Sequence, residues 1–528
     1  MSDKEIRKKT ASSMAVATLL VMLGSILSKG SGFARDILVG MKFHTDLYRD
    51  AYSTSFMFPD FFYNLLIGGS IQAAVTPSLA AAISKKKEKE GLKSVSVFIS
   101  VFSVLMAVVC ILGTIFSRQL FNIYAPKGAD PETIELAAKG ARLLFVQIFF
   151  MMFAALSIGI LNAYKRFGST SFGPTIYNIC VVLSIAIFAG DSASKLQLCM
   201  AGIMCSALIY FVFQYVVGFD KLKRIRPCFD IHDKGFKTIV IRAVPILISA
   251  STVQINVMTI SRYALEMGQG VKYALNNATT VWQLPYGIFA FAVGNVMLPS
   301  LAGLYASKDY KGASKLLSSR LKTALFMTIP SALFLFMMSY DTIEAVFKWN
   351  STYTDDNIHR AGIILMGYSF AVIIHTGVFM FNQAFYAIGR TFVPLISGVL
   401  SIICVPAFCT IFKALGLGMI SLSISYSLTA LIQLILLASI YCLNKKLAPR
   451  GILPFLVKCA ICLITMGLAL FILNWILPEG QGKIVRLGIL AVKGIVSILV
   501  YFSSACLIRM EEALFWIRKV TSRLGKKA

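Results

Sequence analysis

Apolar stretches of about twenty residues recur from one end of the chain to the other, separated by short polar segments. A helix of that length, rising 1.5 Å per residue, crosses roughly 30 Å of hydrocarbon. The pattern predicts spans near 12–40, 52–82, 94–117, 138–163, 170–190, 196–218, 237–265, 273–304, 321–340, 360–387, 391–412, 417–443, 453–476 and 485–508. That is about fourteen helices, several of them long enough to tilt, kink or extend beyond the bilayer. No charged block between them is long enough for a soluble domain. The chain reads as an all-α polytopic membrane protein.

The polar breaks carry an internal order. The second span reads FPDFFYNLLIGGSIQAAVTPSLAAAISKKK and the eighth LPYGIFAFAVGNVMLPSLAGLYASKDYK. Both run from a proline (Pro59, Pro285) to a P-S-L-A (from Pro77, Pro299) and a Ser-Lys exit, with spacings that differ by about one helical turn. The fourth span exits as LNAYKRFGSTSFGP and the tenth as NQAFYAIGRTFVP. Each pair is six spans apart and exits on the same side. The expected organisation is two pseudo-symmetric six-helix lobes, 1–220 and 221–450, followed by two further helices and a basic tail over 451–528. Two related lobes meeting at the bilayer midplane suit alternating access, a symmetry that enzymes rarely need.

Composition agrees: 57% of residues are hydrophobic, 14% charged, and the mean hydropathy is +0.76. The net charge of +27 could point to nucleic acid, but its distribution does not. Placed on alternate sides, the N-terminus, 85–93, 164–167, 221–226, 307–315, 389–390, 444–450 and the tail hold roughly three times the Lys and Arg of the opposite loops. The positive-inside rule puts both termini in the cytoplasm, which an even number of spans allows, and assigns the charge to topology and anionic headgroups. The basic start MSDKEIRKKT leads into an apolar run without a convincing cleavage site, so it reads as a retained first helix. Cys459 and Cys462 form a C-x-x-C with no second pair and no nearby histidine, and read as core or lipid-facing residues. No metal and no cofactor are expected.

The first span contains the sharpest signal. Lys29, Arg35 and Asp36 lie within eight positions of an apolar helix, where a charge at mid-bilayer costs about 2.5–3.5 kcal/mol. Lys29 and Asp36, seven apart, share a face, and Arg35 points roughly 100° away. Gly30, Ser31 and Gly32 between them favour close packing or a local break, so Gly30 and Gly32 join Pro59 and Pro285 as hinge candidates, with Pro245 and Pro394 as further kinks. Lys29 is too deep to snorkel easily and is expected in a cavity. Asp50 and Asp60 bracket the entrance to the second span. Arg262 and Glu266, one turn apart, suggest a local ion pair; Lys139, Arg142 and Arg242 read as interfacial. His375, above Asn382 and Gln383, reads as a hydrogen-bonded packing residue rather than a proton relay. Because the deepest polar residues are mostly cationic, the expected substrate is an anionic amphiphile.

SGFARDILVG, then DAY, FPDFFYNLL and P-S-L-A, resembles the first two helices of the MurJ/MviN family of lipid II flippases in the MOP exporter superfamily. LNAYKRFGSTSFGPTIYNI, QINVMTISRYALEMGQGVKYALNNATTVWQLPYGIFAFAVGNVMLPSLAG and QAFYAIGRTFVP resemble its later signatures, so the resemblance covers about residues 20–450. It implies a V-shaped pair of lobes that alternates its access. It also implies export of lipid II, the undecaprenyl-pyrophosphate-linked peptidoglycan precursor, across the bacterial cytoplasmic membrane. Cationic residues of the first lobe would hold the pyrophosphate, and membrane lipids and cell-wall synthesis proteins would be partners. By motif position Lys29 replaces a family arginine, Arg35 matches the next, Asp36 its acidic neighbour and Asp50 the acidic residue that opens the second span. The family's other arginines fall on Tyr63, Asn64, Thr280 and Ser261, with Arg262 beside the last, and an acidic position falls on Gly68. The substrate-binding set is therefore Lys29, Arg35, Asp36, Asp50 and Arg262. The lost arginines leave open an exporter of another polyprenyl-linked oligosaccharide or amphiphile, or a non-transporting cell-envelope scaffold. A membrane-embedded transferase using His375 would need a nucleotide or acyl-donor site, and the chain has no glycine-rich phosphate loop for one.

Overall fold

The computed structural model describes residues 23–24, 27–67, 74–477 and 482–514, without the side chains of 168, 169, 245, 246, 249 and 250. The basic start, Gly68, the side chain of Pro245 and the basic tail lie outside the described residues. The described chain is helical: α1 (27–42), α2 (Asp46–Ser55), α3 (Met57–Leu66), α4 (Thr76–Ser84), α5 (Glu88–Tyr124), α6 (Pro131–Ala163), α7 (Phe167–Phe188), α8 (Ala193–Val217), the short α9 (Phe219–Leu222), α10 (Lys234–Glu266), α11 (Val271–Pro285), a π-helical segment (Tyr286–Ala290), α12 (Phe291–Ala306), α13 (Tyr310–Met337), α14 (Ser339–Phe347), α15 (Asp355–Ile388), α16 (Phe392–Ala414), α17 (Ile420–Cys442), α18 (Ile452–Ile476) and α19 (Lys483–Leu507). Among the described residues, eleven stretches are long and apolar enough to cross a membrane. The remaining expected spans fall on α1 and α10, each with residues or side chains outside the described set, and on α2 to α4, where the chain is divided. Large apolar side chains such as Ile111, Ile115, Ile403, Phe471 and Trp475 are exposed, as lipid-facing residues should be.

The chain groups into two compact units, Met1–Met258 with Gly268–Tyr273, and Thr259–Met267 with Ala274–Ala528. In the first unit α6 is the central helix and packs on α2, α3, α4, α5, α7 and α8. In the second, α15 packs on α12, α13, α14, α16 and α17. These two helices are the fourth and tenth spans of the repeat. The sequence starts both firmly. Asp130 accepts the Thr133 N–H at 2.9 Å ahead of Pro131, and Thr354 and Asn357 form a capping box at α15. α18 and α19 pack on each other and on α13, burying Cys459, Cys462, Met466 and Tyr501.

The four exits of the paired spans share one backbone closure, which also ends α16 at Gly416 and α19 at Arg509. After α4, α6, α12 and α15 the chain turns through a left-handed residue: Lys86 (φ 59°), Lys165 (φ 61°), Lys308 (φ 59°) and Gly389 (φ 78°). Each closes the same pair of hydrogen bonds, as when Lys86 N–H donates to Ile83 O and Lys87 N–H to Ala82 O, or Lys308 N–H to Tyr305 O and Asp309 N–H to Leu304 O. This is the Schellman closure, which satisfies carbonyls that a helix end leaves orphaned. Three lysines adopt a conformation that glycine takes more cheaply.

The second and eighth spans are interrupted where their prolines fall. Pro59 has no N–H to offer Ser55, and α2 ends at Ser55. Pro285 ends α11, and the next five residues widen into π-helix before α12 resumes.

Candidate functional site

Four of the five expected binding residues belong to the first unit. α1 runs as unbroken helix over 27–42. Its N-terminal part is held by α7: Thr175 donates to Gly24 O at 3.1 Å and Asn178 to Ser28 O at 3.1 Å. A Cβ at Gly24 would lie 2.5 Å from Ser171 O, so this glycine is required for the close approach. Gly30 and Gly32 differ: a Cβ at either would meet nothing within 4 Å. The close packing expected of them is found at Gly24 instead.

Lys29 is exposed on α1 and makes no ion pair or hydrogen bond among the described residues. Arg35 does: its Nε donates to Asp36 Oδ1 at 2.9 Å, with both side chains partly buried. One arm of the guanidinium is therefore committed to the neighbouring carboxylate.

Asp50 is buried, and both its oxygens are engaged. Oδ2 accepts the Gly270 N–H at 2.6 Å and Oδ1 the Tyr273 N–H at 2.8 Å. It caps the first turn of α11, where the helix dipole favours a negative charge. Tyr273 reaches back and donates its hydroxyl to Asp36 O at 3.0 Å. Segment 268–273 is thus tied to the strip of chain that holds Arg35 and Asp36.

Sequence reading missed two cations here. Arg49 is 1% exposed and donates to Phe43 O, Gly40 O and Asp46, closing the C-terminal end of α1. Lys272 is 3% exposed and lies in the fields of Asp50 and Asp60. Both occupy short polar segments that read as loops, and no spacing rule announces their burial.

Arg262 is grouped with the second unit and is exposed. The ion pair expected between Arg262 and Glu266 is not formed. Glu266 instead accepts from Lys413 on α16 at 2.6 Å. His375, also in the second unit, packs as expected but is not hydrogen-bonded as expected: its Nε2 is buried without a hydrogen-bond partner among the described residues, and the ring stacks on Tyr426 with centroids 4.8 Å apart, beside Trp282 and Tyr286. Below it Gln383 donates to Asn295 at 3.1 Å. No group of three or more His, Cys, Asp or Glu able to hold a metal occurs among the described residues.

A family model described as lipid II flippase MurJ matches residues 41–487. Asp50 and Arg262 lie inside that range, and Lys29, Arg35 and Asp36 just before it. The chain is similar to a probable lipid II flippase MurJ of Buchnera aphidicola subsp. Acyrthosiphon pisum, 23% identical over 88% of this chain and 92% of the relative. A lipid II flippase MurJ of Burkholderia cenocepacia is 25% identical over 69% of this chain and 72% of the relative. Among solved structures, lipid II flippase MurJ in an inward closed conformation superposes with a TM-score of 0.76 at 22% identity, covering 93% of this chain and 98% of that one. An inward-facing multidrug resistance MATE family transporter of the MOP superfamily gives 0.65 at 16%, covering 77% and 92%. At these identities the structural likeness speaks for the fold.

Proposed function

Since this chain belongs to the MurJ family of lipid II flippases, matched along 41–487, we propose that it carries lipid II from the cytoplasmic to the outer leaflet by alternating access. It is a multi-pass membrane transporter, not an enzyme. The membrane is the bacterial cytoplasmic membrane, with both termini and the basic loops on the cytoplasmic side. The moving parts are six-helix lobes over 1–220 and 221–450, with Pro59 and Pro285 beside helix interruptions and Gly30 and Gly32 as candidate hinges. Cell-wall synthesis proteins are candidate partners.

Lys29 carries the reading. It is an exposed cation on α1 with no partner among the described residues, so its cost of about 2.5–3.5 kcal/mol at mid-bilayer needs a recipient. A pyrophosphate supplies one. Arg35 adds charge beside it and Asp36 orients Arg35. Asp50 holds segment 268–273 in register with them. Arg262 is retained as a candidate from its motif position alone.

The test is rescue of a bacterium depleted of its own lipid II flippase, reading lipid II accessible at the outer face. The intact chain should restore it, and Lys29→Ala and Arg35→Ala at equal expression should not. Tyr63, Asn64, Thr280 and Ser261 occupy family arginine positions and favour a second reading, export of another lipid-linked anion. Failure of a well-inserted intact chain to rescue would move the assignment there. Rescue by Lys29→Ala would remove Lys29 from the site.

A further inference from the structure

The second unit contains a cavity of about 1230 Å³ that the transport reading does not use. Its walls come from α12, from the start of α13, from the segment between α17 and α18, and from Glu511 and Glu512 after α19. Seven lysines and arginines line it against three carboxylates.

Basic residues at membrane boundaries are ordinarily solvated, and exposure alone would say nothing. Three observations set this cavity apart. First, none of its cations is in an ion pair among the described residues. Some basic residues bordering other loops are paired, as in Lys93–Asp230 at 2.7 Å, Arg166–Asp220 at 2.7 Å and Arg224–Glu88 at 3.0 Å. Of the three carboxylates, Asp309 is occupied in capping α13 through the Gly312 N–H at 2.8 Å.

Second, the backbone that carries the cations is held in place. Lys311, Lys315 and Lys322 follow the 4- and 7-residue spacing of one helical face, with Ser318 between them. Ser314 donates to Ala448 O at 2.6 Å and Ser318 accepts the Arg450 N–H at 2.8 Å. These bonds clamp the 446–450 segment to α13, so that Lys446 and Arg450 line the same cavity. Gly451, in the left-handed conformation (φ 67°), leaves room for the Lys322 ammonium, which would lie 3.1 Å from a Cβ there. Third, the opposite wall is apolar. Ala292, Val293 and Val296 on α12 line it, and Val296 is 63% exposed.

We propose that this cavity is a binding site for a phosphorylated anion, with phosphoryl oxygens on Lys315, Lys322 and Arg450 and the apolar part of the ligand against α12. Arg450 supplies the fork that suits phosphate, and the lysines supply point charge. The chemistry is common to the headgroup of an anionic phospholipid and to a soluble diphosphate. The site is built from the second unit alone and does not depend on lipid II being the substrate.

Purified full-length protein is titrated with inorganic pyrophosphate by calorimetry at low salt. In parallel it is reconstituted in nanodiscs of phosphatidylglycerol and phosphatidylcholine, and the retained lipid is counted by native mass spectrometry. Lys322→Gln and Arg450→Gln should each weaken binding about tenfold, the loss of one charged hydrogen bond. Raised salt should weaken it in the parent. Lys29→Ala, which strips the first-unit cluster, should leave in place the share of binding that Lys322→Gln and Arg450→Gln weaken, and each variant's melting curve shows that it is folded. Pyrophosphate binding without phosphatidylglycerol enrichment names a soluble ligand. Enrichment abolished by the same substitutions names the lipid. Binding of neither probe, or binding that Lys29→Ala removes and the cavity variants keep, overturns the proposal.

Discussion

Replacing Asp50 by asparagine separates two roles that a buried carboxylate could have. Its oxygens accept the Gly270 and Tyr273 N–H groups at 2.6 and 2.8 Å, and the side chain is 2% exposed. Asparagine keeps one acceptor and turns an NH2 toward the other N–H, donor against donor. One charge-assisted hydrogen bond is lost, worth about 1.5–3 kcal/mol, and a buried N–H is left unpaired. Burial pushes the Asp50 carboxyl up to about 7, so above that pH the charge that faces the start of α11 is also lost, worth about 1 kcal/mol or somewhat more. Together the cost is about 2–4 kcal/mol, concentrated on segment 268–273. Hydrogen exchange should show faster amides at 270 and 273, and the purified protein should melt earlier. Because the Tyr273 hydroxyl holds Asp36 O, the surroundings of Arg35 should loosen and transport should fall with them. A variant that melts and exchanges like the parent refutes the fastening role. If such a variant had also lost transport, Asp50 would have to touch the substrate.

Gly30→Ala places a methyl in open space and adds helix propensity of up to about 1 kcal/mol, so the melting temperature should rise. Transport should slow if Gly30 bends during the cycle, and unchanged transport removes it from the hinge set. Gly113→Ala should do the reverse: its Cβ would lie 2.3 Å from the Phe145 ring, and overpacking of this kind costs about 1–3 kcal/mol in a thermal melt. Asp230, in the loop before α10, is held below the usual carboxylate range by the hydrogen bond and charge of Lys93. A depressed carboxylate stabilises the fold above its unfolded pKa. The stability difference between the parent and Asp230→Asn should therefore hold near neutral pH and vanish as pH falls below about 4.

Hydrocarbon made the spans legible, since every crossing segment must be apolar and satisfy its own backbone. The paired motifs were legible in P-S-L-A and the Ser-Lys exits, but the backbone of those exits was not. Lys86, Lys165 and Lys308 take a left-handed conformation that composition assigns to glycine, and only Gly389 advertises it. Lys29 stood out because a deep charge is costly. Arg49 and Lys272 did not, because their burial comes from folding 43–50 against 268–273, a pairing more than two hundred residues apart that leaves no periodic trace. The expected Arg262–Glu266 pair failed for a related reason. Spacing shows which side chains share a helical face, but Lys413 reaches Glu266 from 147 positions away with better geometry.

The charges of the first unit differ in how much of each remains uncommitted. Arg49 gives its donors to two backbone carbonyls and Asp46, closing a helix end. Asp50 gives both oxygens to α11. Lys272 is buried among carboxylates. Arg35 has one arm on Asp36 and the rest free to turn. Lys29 alone of these keeps all three donors and no partner among the described residues. A diphosphate meeting this set would find one ammonium and half a guanidinium in place of a cluster of arginine forks. An ammonium attracts charge without dictating its orientation. On the proposed site, selectivity has to come from groups beyond the charge itself. Tyr52 and Tyr177 couple electrostatically to Arg35, and the Tyr177 hydroxyl accepts from Gln147 at 2.8 Å with its own proton left to offer.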